Sequence, residues 1–274
     1  MIENNCFTVD TLVLEVTRRC NMACKHCLRG PAENIDMTKD LVDKTFENIH
    51  NVRNIVFTGG EPFLNVDIIE YALKVVKEKN ILVYSLFIAT NAKMFEERYI
   101  TILNDWMFYV ASCNYGTGIL DANSYLPNNE DLFQYGGVAI SRDKFHEPIP
   151  MENYIRYRML SYYLDSKEHN KDEFDYILDE GNASINGIGN HKPIKNEISL
   201  DYSIQDAEND DFIISDLVVD SILYINAKGD VLGDCDTSFK NQEEISIGNI
   251  YDNTLISIIE QLVLAQEDTL EEVI

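Results

Sequence analysis

The chain has 274 residues, is 45% hydrophobic and carries a formal net charge of −25. That length can bury a full core in one domain, or in one domain with an appendage. The charge excludes phosphate-backbone binding as a main activity, because no broad basic face is available. No apolar run approaches bilayer length. The polar, acidic start Met1-Ile2-Glu3-Asn4-Asn5 lacks the basic region of a signal peptide. Six cysteines, three of them in one loop, do not make a disulfide framework. The expectation is a cytoplasmic protein with no nucleic-acid partner and no membrane partner.

In chain order, Leu12 to Val16 is a short β-rich run that leads into Cys20-Asn21-Met22-Ala23-Cys24-Lys25-His26-Cys27. Thr38 to Ile49 has a helical apolar period, with Thr38 as N-cap. Asn54 to Thr58 reads as a buried strand, Asn65 to Asn80 as an amphipathic helix, Ile81 to Ala89 as a third strand and Met94 to Leu103 as a third helix. Such alternation implies parallel strands joined by crossovers, with ligands gathered at the strand C-termini. The cysteine loop, Thr58-Gly59-Gly60-Glu61-Pro62 and Thr90-Asn91 all fall at those ends.

These runs carry the chemistry. Cys20, Cys24 and Cys27 form a CxxxCxxC spacing, three thiols in one short loop. Cysteines at spacings of this kind hold iron–sulfur clusters. Three ligands leave one iron of a [4Fe-4S] cubane without a protein donor, which is the open position a catalytic metal needs. Gly59 and Gly60 follow a strand and allow close backbone approach to a ligand. Glu61 then supplies a carboxylate suited to an ammonium group.

With both motifs present, the chain resembles the radical S-adenosylmethionine (SAM) superfamily. The resemblance implies a partial (β/α)6 TIM-like barrel of the α/β class, a cluster on Cys20, Cys24 and Cys27, and SAM on its free iron. It places His26 by the adenine and Gly59, Gly60, Glu61 and Pro62 at the SAM amine. The family's fourth strand often ends in a Ser-x-Asp run that contacts SAM. Ser141 and Asp143 fit that place, within the run Val138 to His146, which reads as a strand ending in polar residues after an insertion from Gly116 to Tyr135. A competing fourth strand is Phe108 to Ser112, within an apolar run Trp106 to Tyr115. Structural zinc remains an alternative for the cysteine loop, although no second ligand pair follows. A CxxC dithiol would explain Cys24 and Cys27 only.

The acidic clusters at 172–180 and 206–216 read as solvated surface. Arg18, Arg19, Lys25 and Arg29 lie in an acid-free stretch. They form either a positive rim for an acidic electron donor, such as flavodoxin or ferredoxin, or pairs with acids elsewhere. His146 is either a ligand contact or a packed side chain. Met151 to Leu164 reads as a tyrosine-rich helix. Gly187 to Asn190 is either a SAM-contacting turn or a plain loop.

From Ser221 to Leu232 a β-hairpin with a glycine turn is expected, followed by Cys235 and a final helix from about Thr254 to Leu264. This divides the chain into a core, 1–216, and a small hairpin-plus-helix extension, 217–274. The extension loosely resembles those of peptide-modifying radical SAM enzymes. A lone Cys235 gives no complete second cluster. It is either a packed thiol or a hydrogen-atom donor to substrate.

The expected activity is reductive cleavage of SAM to a 5′-deoxyadenosyl radical that abstracts hydrogen. The substrate is first a ribosomal peptide or protein side chain, and otherwise a small metabolite or nucleotide. A non-catalytic iron–sulfur protein is the third reading.

Overall fold

The computed structural model describes residues 6–114, 136–142, 144–160, 176–193, 198–201 and 217–271. Asp143, the insertion at 116–135 and the acidic run at 206–216 lie outside the described residues, as do parts of the 172–180 run and of the tyrosine-rich helix.

Among those residues the core is one sheet in the order β4-β3-β2-β1-β6-β7-β8. Strands β1 (Phe7–Thr17), β2 (Ile49–Gly59), β3 (Leu82–Thr90) and β4 (Gly136–Ile140) pair in parallel. Helices α1 (Lys39–Thr45), α2 (Val66–Glu78) and α3 (Glu97–Asn114) connect them. This is the mixed α/β architecture, with a mainly parallel sheet, of a partial TIM-like barrel. Crossovers of this kind carry each strand's C-terminal end to the same rim, where β1, β2 and β3 deliver Thr17, Gly59 and Thr90.

Local chemistry explains the elements. Thr38 caps α1 by accepting from the Leu41 N–H. Ile49, the expected end of that helix, instead starts β2, whose β-branched and aromatic residues favour extended backbone. In α2, Ile68, Ile69, Ala72, Leu73, Val75 and Val76 are buried. Asp67 in its first turn and Lys77 in its last complement the helix dipole. Asn80 then takes a positive φ of 54° and ends the segment.

Of the run Trp106 to Tyr115, the described residues 106–114 are helical and not a strand. Residues through Asn114 continue α3, in which Tyr99, Ile102, Leu103, Trp106, Met107 and Val110 are buried at helical spacing. The fully buried Trp106 donates its indole N–H to the Ile69 carbonyl at 3.0 Å, which fixes α3 on α2. The competing strand at Phe108 to Ser112 falls with it, and β4 occupies the Val138 position. Helix α4 (Met151–Arg158) and the short helix α5 (Gly181–Ile185) follow.

The C-terminal hairpin is present as β6 (Val218–Ile225) and β7 (Asp230–Leu232). The Gly229 N–H donates to the Asn226 carbonyl at 3.0 Å across the turn. β6 also pairs in parallel with β1, with Leu12 opposite Leu223 and Leu14 opposite Ile225. Two-residue strands β5 (Leu200–Asp201) and β8 (Gly248–Asn249) join β6 and β7. Helix α6 (Leu255–Glu271) closes the chain.

Alternation along the strands separates two faces. Leu12, Leu14, Ile55, Phe57, Leu223 and Ile225 enter the main core with the helices. Val13 and Tyr224 point the other way, into a small cluster with Leu232, Val56, Ile222 and Cys235. No described helix is long and apolar enough to cross a membrane.

Candidate functional site

The site is assembled where the ends of β1, β2 and β3 meet. After β2, Gly60 and Glu61 zip onto the end of β1 and the start of the cysteine loop. The Gly60 N–H donates to Thr17 O and the Glu61 N–H to Arg19 O, both at 2.8 Å. A Cβ at Gly60 would stand 2.3 Å from Arg19 O and 3.0 Å from the Cys20 Cβ. Only glycine allows this approach. Pro62 is buried at the start of a 3-10 turn, Pro62–Asn65.

Glu61 is buried and serves as the hub. One carboxylate oxygen accepts from Thr90 Oγ1 at 2.7 Å and from the Phe63 N–H at 3.3 Å. The other accepts from the Asn91 N–H at 2.8 Å. Burial outweighs these donors and pushes the carboxyl up to about 7. The Asn91 amide then reaches the cysteine loop, donating to Asn21 Oδ1 at 2.8 Å and to Cys20 Sγ at 3.7 Å. The Ser141 N–H donates to Thr90 O at 2.8 Å, which brings the end of β4 to the same rim.

Cys20, Cys24 and Cys27 are not in disulfides and are all half-buried, on one irregular loop. Burial raises the Cys20 thiol, and the nearby Glu61 and Cys27 add to that rise. Cys24 Sγ lies 3.9 Å from Met22 Sδ. Among the described residues no three His, Cys, Asp or Glu side chains stand close enough to share one metal ion. Three soft thiols on one loop are ligands of the kind that iron–sulfur clusters and zinc both take.

His26 packs between Phe145, with ring centroids 5.1 Å apart, and His146, at 4.8 Å. That contact joins the loop to the segment after β4. The loop is also held by groups that sequence reading did not single out. Glu147 accepts from the Ala23 N–H at 3.1 Å and pairs with Lys93, whose Nζ donates to Asn21 O at 2.9 Å. A cleft of about 200 Å³ opens beside this pair, lined by Arg142, His146, Glu147 and Tyr154 among others. No local motif marks Glu147 or Lys93, because their partners lie in other segments.

The positive rim does not exist as such. Arg18 is fully buried. It donates to Glu15 at 2.7 Å and to Glu33 at 2.9 Å, and it also bonds Gln242. Arg19 pairs with Asp36 at 2.8 Å. Arg29 donates to Thr237 O at 2.7 Å and lies over the Tyr224 ring. Only Lys25 of the four is left exposed. A buried guanidinium demands carboxylate and amide partners, and the fold provides them. Glu15 is correspondingly saturated by Arg18, Tyr224 OH at 2.6 Å, Gln242 at 2.8 Å and the Ala227 N–H at 3.2 Å.

Cys235 is half-buried on the sheet face that carries Val13 and Tyr224. Burial raises its thiol. Gly187 to Asn190 follow α5. The Asn190 N–H donates to Ile177 O at 2.8 Å, and His191 bridges to Leu178.

The sequence model of the radical SAM superfamily matches residues 14–109. Over 63 residues the chain is 43% identical to an uncharacterized protein of Methanocaldococcus jannaschii, covering 22% of each. Over 76 residues it is 40% identical to an AdoMet-dependent heme synthase of Nitratidesulfovibrio vulgaris, covering 25% of this chain and 20% of that protein. Over 109 residues it is 28% identical to a GTP 3′,8-cyclase of Lactiplantibacillus plantarum, covering 35% and 32%. The matched stretches span about a fifth to a third of those relatives' lengths. Native anSMEcpe, solved with bound AdoMet and a Kp18Cys peptide, superposes with a TM-score of 0.50 at 14% identity, over 92% of this chain and 80% of that one. That likeness is one of fold. The likeness to the radical SAM superfamily is carried by residues 14–109.

Proposed function

We propose that this protein is a radical SAM enzyme. The observation that carries the reading is the joining of its two motifs. Glu61 of Gly-Gly-Glu-Pro holds Thr90 and Asn91, and Asn91 in turn holds Cys20 and Asn21 of the cysteine loop. When bound, a [4Fe-4S] cluster with SAM supplies one-electron cleavage of the sulfonium to a 5′-deoxyadenosyl radical.

The chain's own residues would do the following. Cys20, Cys24 and Cys27 would hold the iron. Gly59, Gly60, Glu61 and Pro62 would seat the methionine end, with a lone pair of Glu61 left for the ammonium beyond its three donors. Thr90, Asn91, Ser141 and Asp143 would complete the rim, and His26 would lie by the adenine. The reducing electron would come from an external donor such as flavodoxin or ferredoxin, in the cytoplasm.

The core is assigned to 1–216 and the extension to 217–274. The substrate reading is a peptide or protein side chain. It is supported by the hairpin that sets Cys235 on the sheet face opposite the main core, beside Val13 and Tyr224. There Cys235 would return a hydrogen atom to the substrate. The second reading is a small metabolite or nucleotide, favoured by the matches to a heme synthase and a GTP cyclase.

The test is anaerobic reconstitution with iron and sulfide, followed by reduction in the presence of SAM. Formation of 5′-deoxyadenosine supports the reading. Iron uptake without that product would leave a non-catalytic iron–sulfur protein.

A further inference from the structure

We propose that Asn182 and Asn186 are positioning residues for the cysteine loop, holding the carbonyls of Cys24, Lys25 and Cys27 from a helix far downstream. The backbone N–H of Asn182 donates to Cys27 O at 2.8 Å. Its side-chain amide donates to Cys24 O at 3.0 Å, across 158 residues of sequence. The Asn186 amide donates to Lys25 O at 3.1 Å and to Asn182 O at 2.8 Å. Residues 21–30 contain only turns and bends, so their carbonyls get little help from regular structure. Placement of the Cys24 and Cys27 side chains therefore depends on such outside donors.

The approach is built for the purpose. Gly181 has a φ of +53°, and a Cβ there would stand 2.1 Å from Leu28 O and 2.6 Å from Cys27 O. Only glycine lets α5 lie this close. The segment is also bonded to itself. Asp179 N–H donates to His191 O at 2.6 Å, and Ile177 N–H to Asn190 Oδ1 at 2.8 Å. Its other side grips the C-terminal segment, where Glu180 accepts from the Ser238 N–H at 3.0 Å and from Asn241 Nδ2 at 2.6 Å. The strap therefore fixes the cysteine loop to the segment that carries Cys235. Asparagine suits the task because it reaches a neighbouring carbonyl with a short neutral donor. An aspartate of the same shape has no donor when ionised.

The inference rests on the cysteine loop being the cluster site, and the test separates the two. Full-length Asn182→Ala, Asn182→Asp and Asn186→Ala are compared with the parent. Amide hydrogen exchange is followed in the metal-free proteins, and loss of visible absorbance to a chelator in the reconstituted ones. One lost hydrogen bond of about 1 kcal/mol corresponds to about fivefold. Asn182→Ala should speed exchange over residues 24–30 by about that factor, with the rest of the chain unchanged, and should speed cluster loss similarly. Asn182→Asp should match Ala despite its shape, and Asn186→Ala should shift both readouts in the same direction. Parent-like exchange and retention in all three variants would overturn the proposal. So would an increase spread evenly over the whole chain, which marks a general stability effect. If the parent takes up no iron, the cluster reading fails, while the exchange measurement still decides whether the strap positions the loop.

Discussion

Glu61 accepts a 2.8 Å hydrogen bond from the backbone N–H of Asn91, which ties the loop after β2 to the end of β3. The same carboxylate takes Thr90 Oγ1 at 2.7 Å. A buried acid is thereby placed between the glycine pair and the cysteine loop, and its protonation state becomes a property of the site.

The first prediction follows from the sign of that shift. Burial lifts the Glu61 carboxyl from 4.5 to about 7. The folded value exceeds the unfolded one, so the folded protein holds the proton more tightly. Stability of the metal-free protein should therefore fall as pH rises from about 4.5 to about 7, by about 3 kcal/mol from this group at 1.36 kcal/mol per unit. Urea midpoints measured across that window should show Glu61→Gln gaining on the parent as pH increases. A pH-independent difference between the two would count against a raised carboxyl.

Glu61→Gln should also weaken SAM binding while leaving iron content unchanged. A charge-assisted contact is worth about 1.5–3 kcal/mol, which is roughly ten- to hundredfold in affinity. Equilibrium binding to the reconstituted protein measures this. Unaltered affinity would confine Glu61 to its structural bonds with Thr90, Asn91 and Phe63.

Replacing Cys20, Cys24 and Cys27 together by alanine should abolish the brown absorbance of the reconstituted protein. The parent should bind about four irons, since three thiolates and SAM complete one cubane. Stoichiometric zinc in the parent, with a fourth protein ligand, would reverse the assignment.

Arg18→Ala should be among the most destabilising single substitutions. It strands Glu15, whose side chain is fully buried, without its cation. Breaking a buried pair in this way costs about 3–5 kcal/mol. Adding Glu15→Gln should recover part of the loss, because the remaining partner is then neutral. Chemical denaturation of the single and double variants measures both effects, and a loss below about 1 kcal/mol, as for an exposed pair, would show that Glu15 is solvated.

Cys235→Ala should leave SAM cleavage intact and divert the substrate radical to other products if the thiol returns a hydrogen atom. Product analysis alongside 5′-deoxyadenosine yield separates this from a packing role. In the packing case, turnover stays normal and only a modest loss of stability appears.

The sequence by itself determined what is encoded at short range. The three-cysteine spacing, the glycine pair with Glu61, the Thr38 cap, the amphipathic α2 and the glycine-turn hairpin are each set by neighbours a few residues apart. Periodicity also placed the ends of β1, β2 and β3 on one rim. Where two local signals competed, at Trp106 to Asn114, the helical period prevailed because Trp106 and Met107 had a core to fill against α2 and the sheet. The tertiary structure alone decided the long-range pairings. Arg18 turned inward because Gln242, 224 residues away, and Glu15 were there to receive it. β6 took the place beside β1, and Asn182 reached back to Cys24. A charged or amide side chain shows in sequence only that it needs a partner. Which partner it finds depends on strand order and loop closure, which a single chain does not display before it folds.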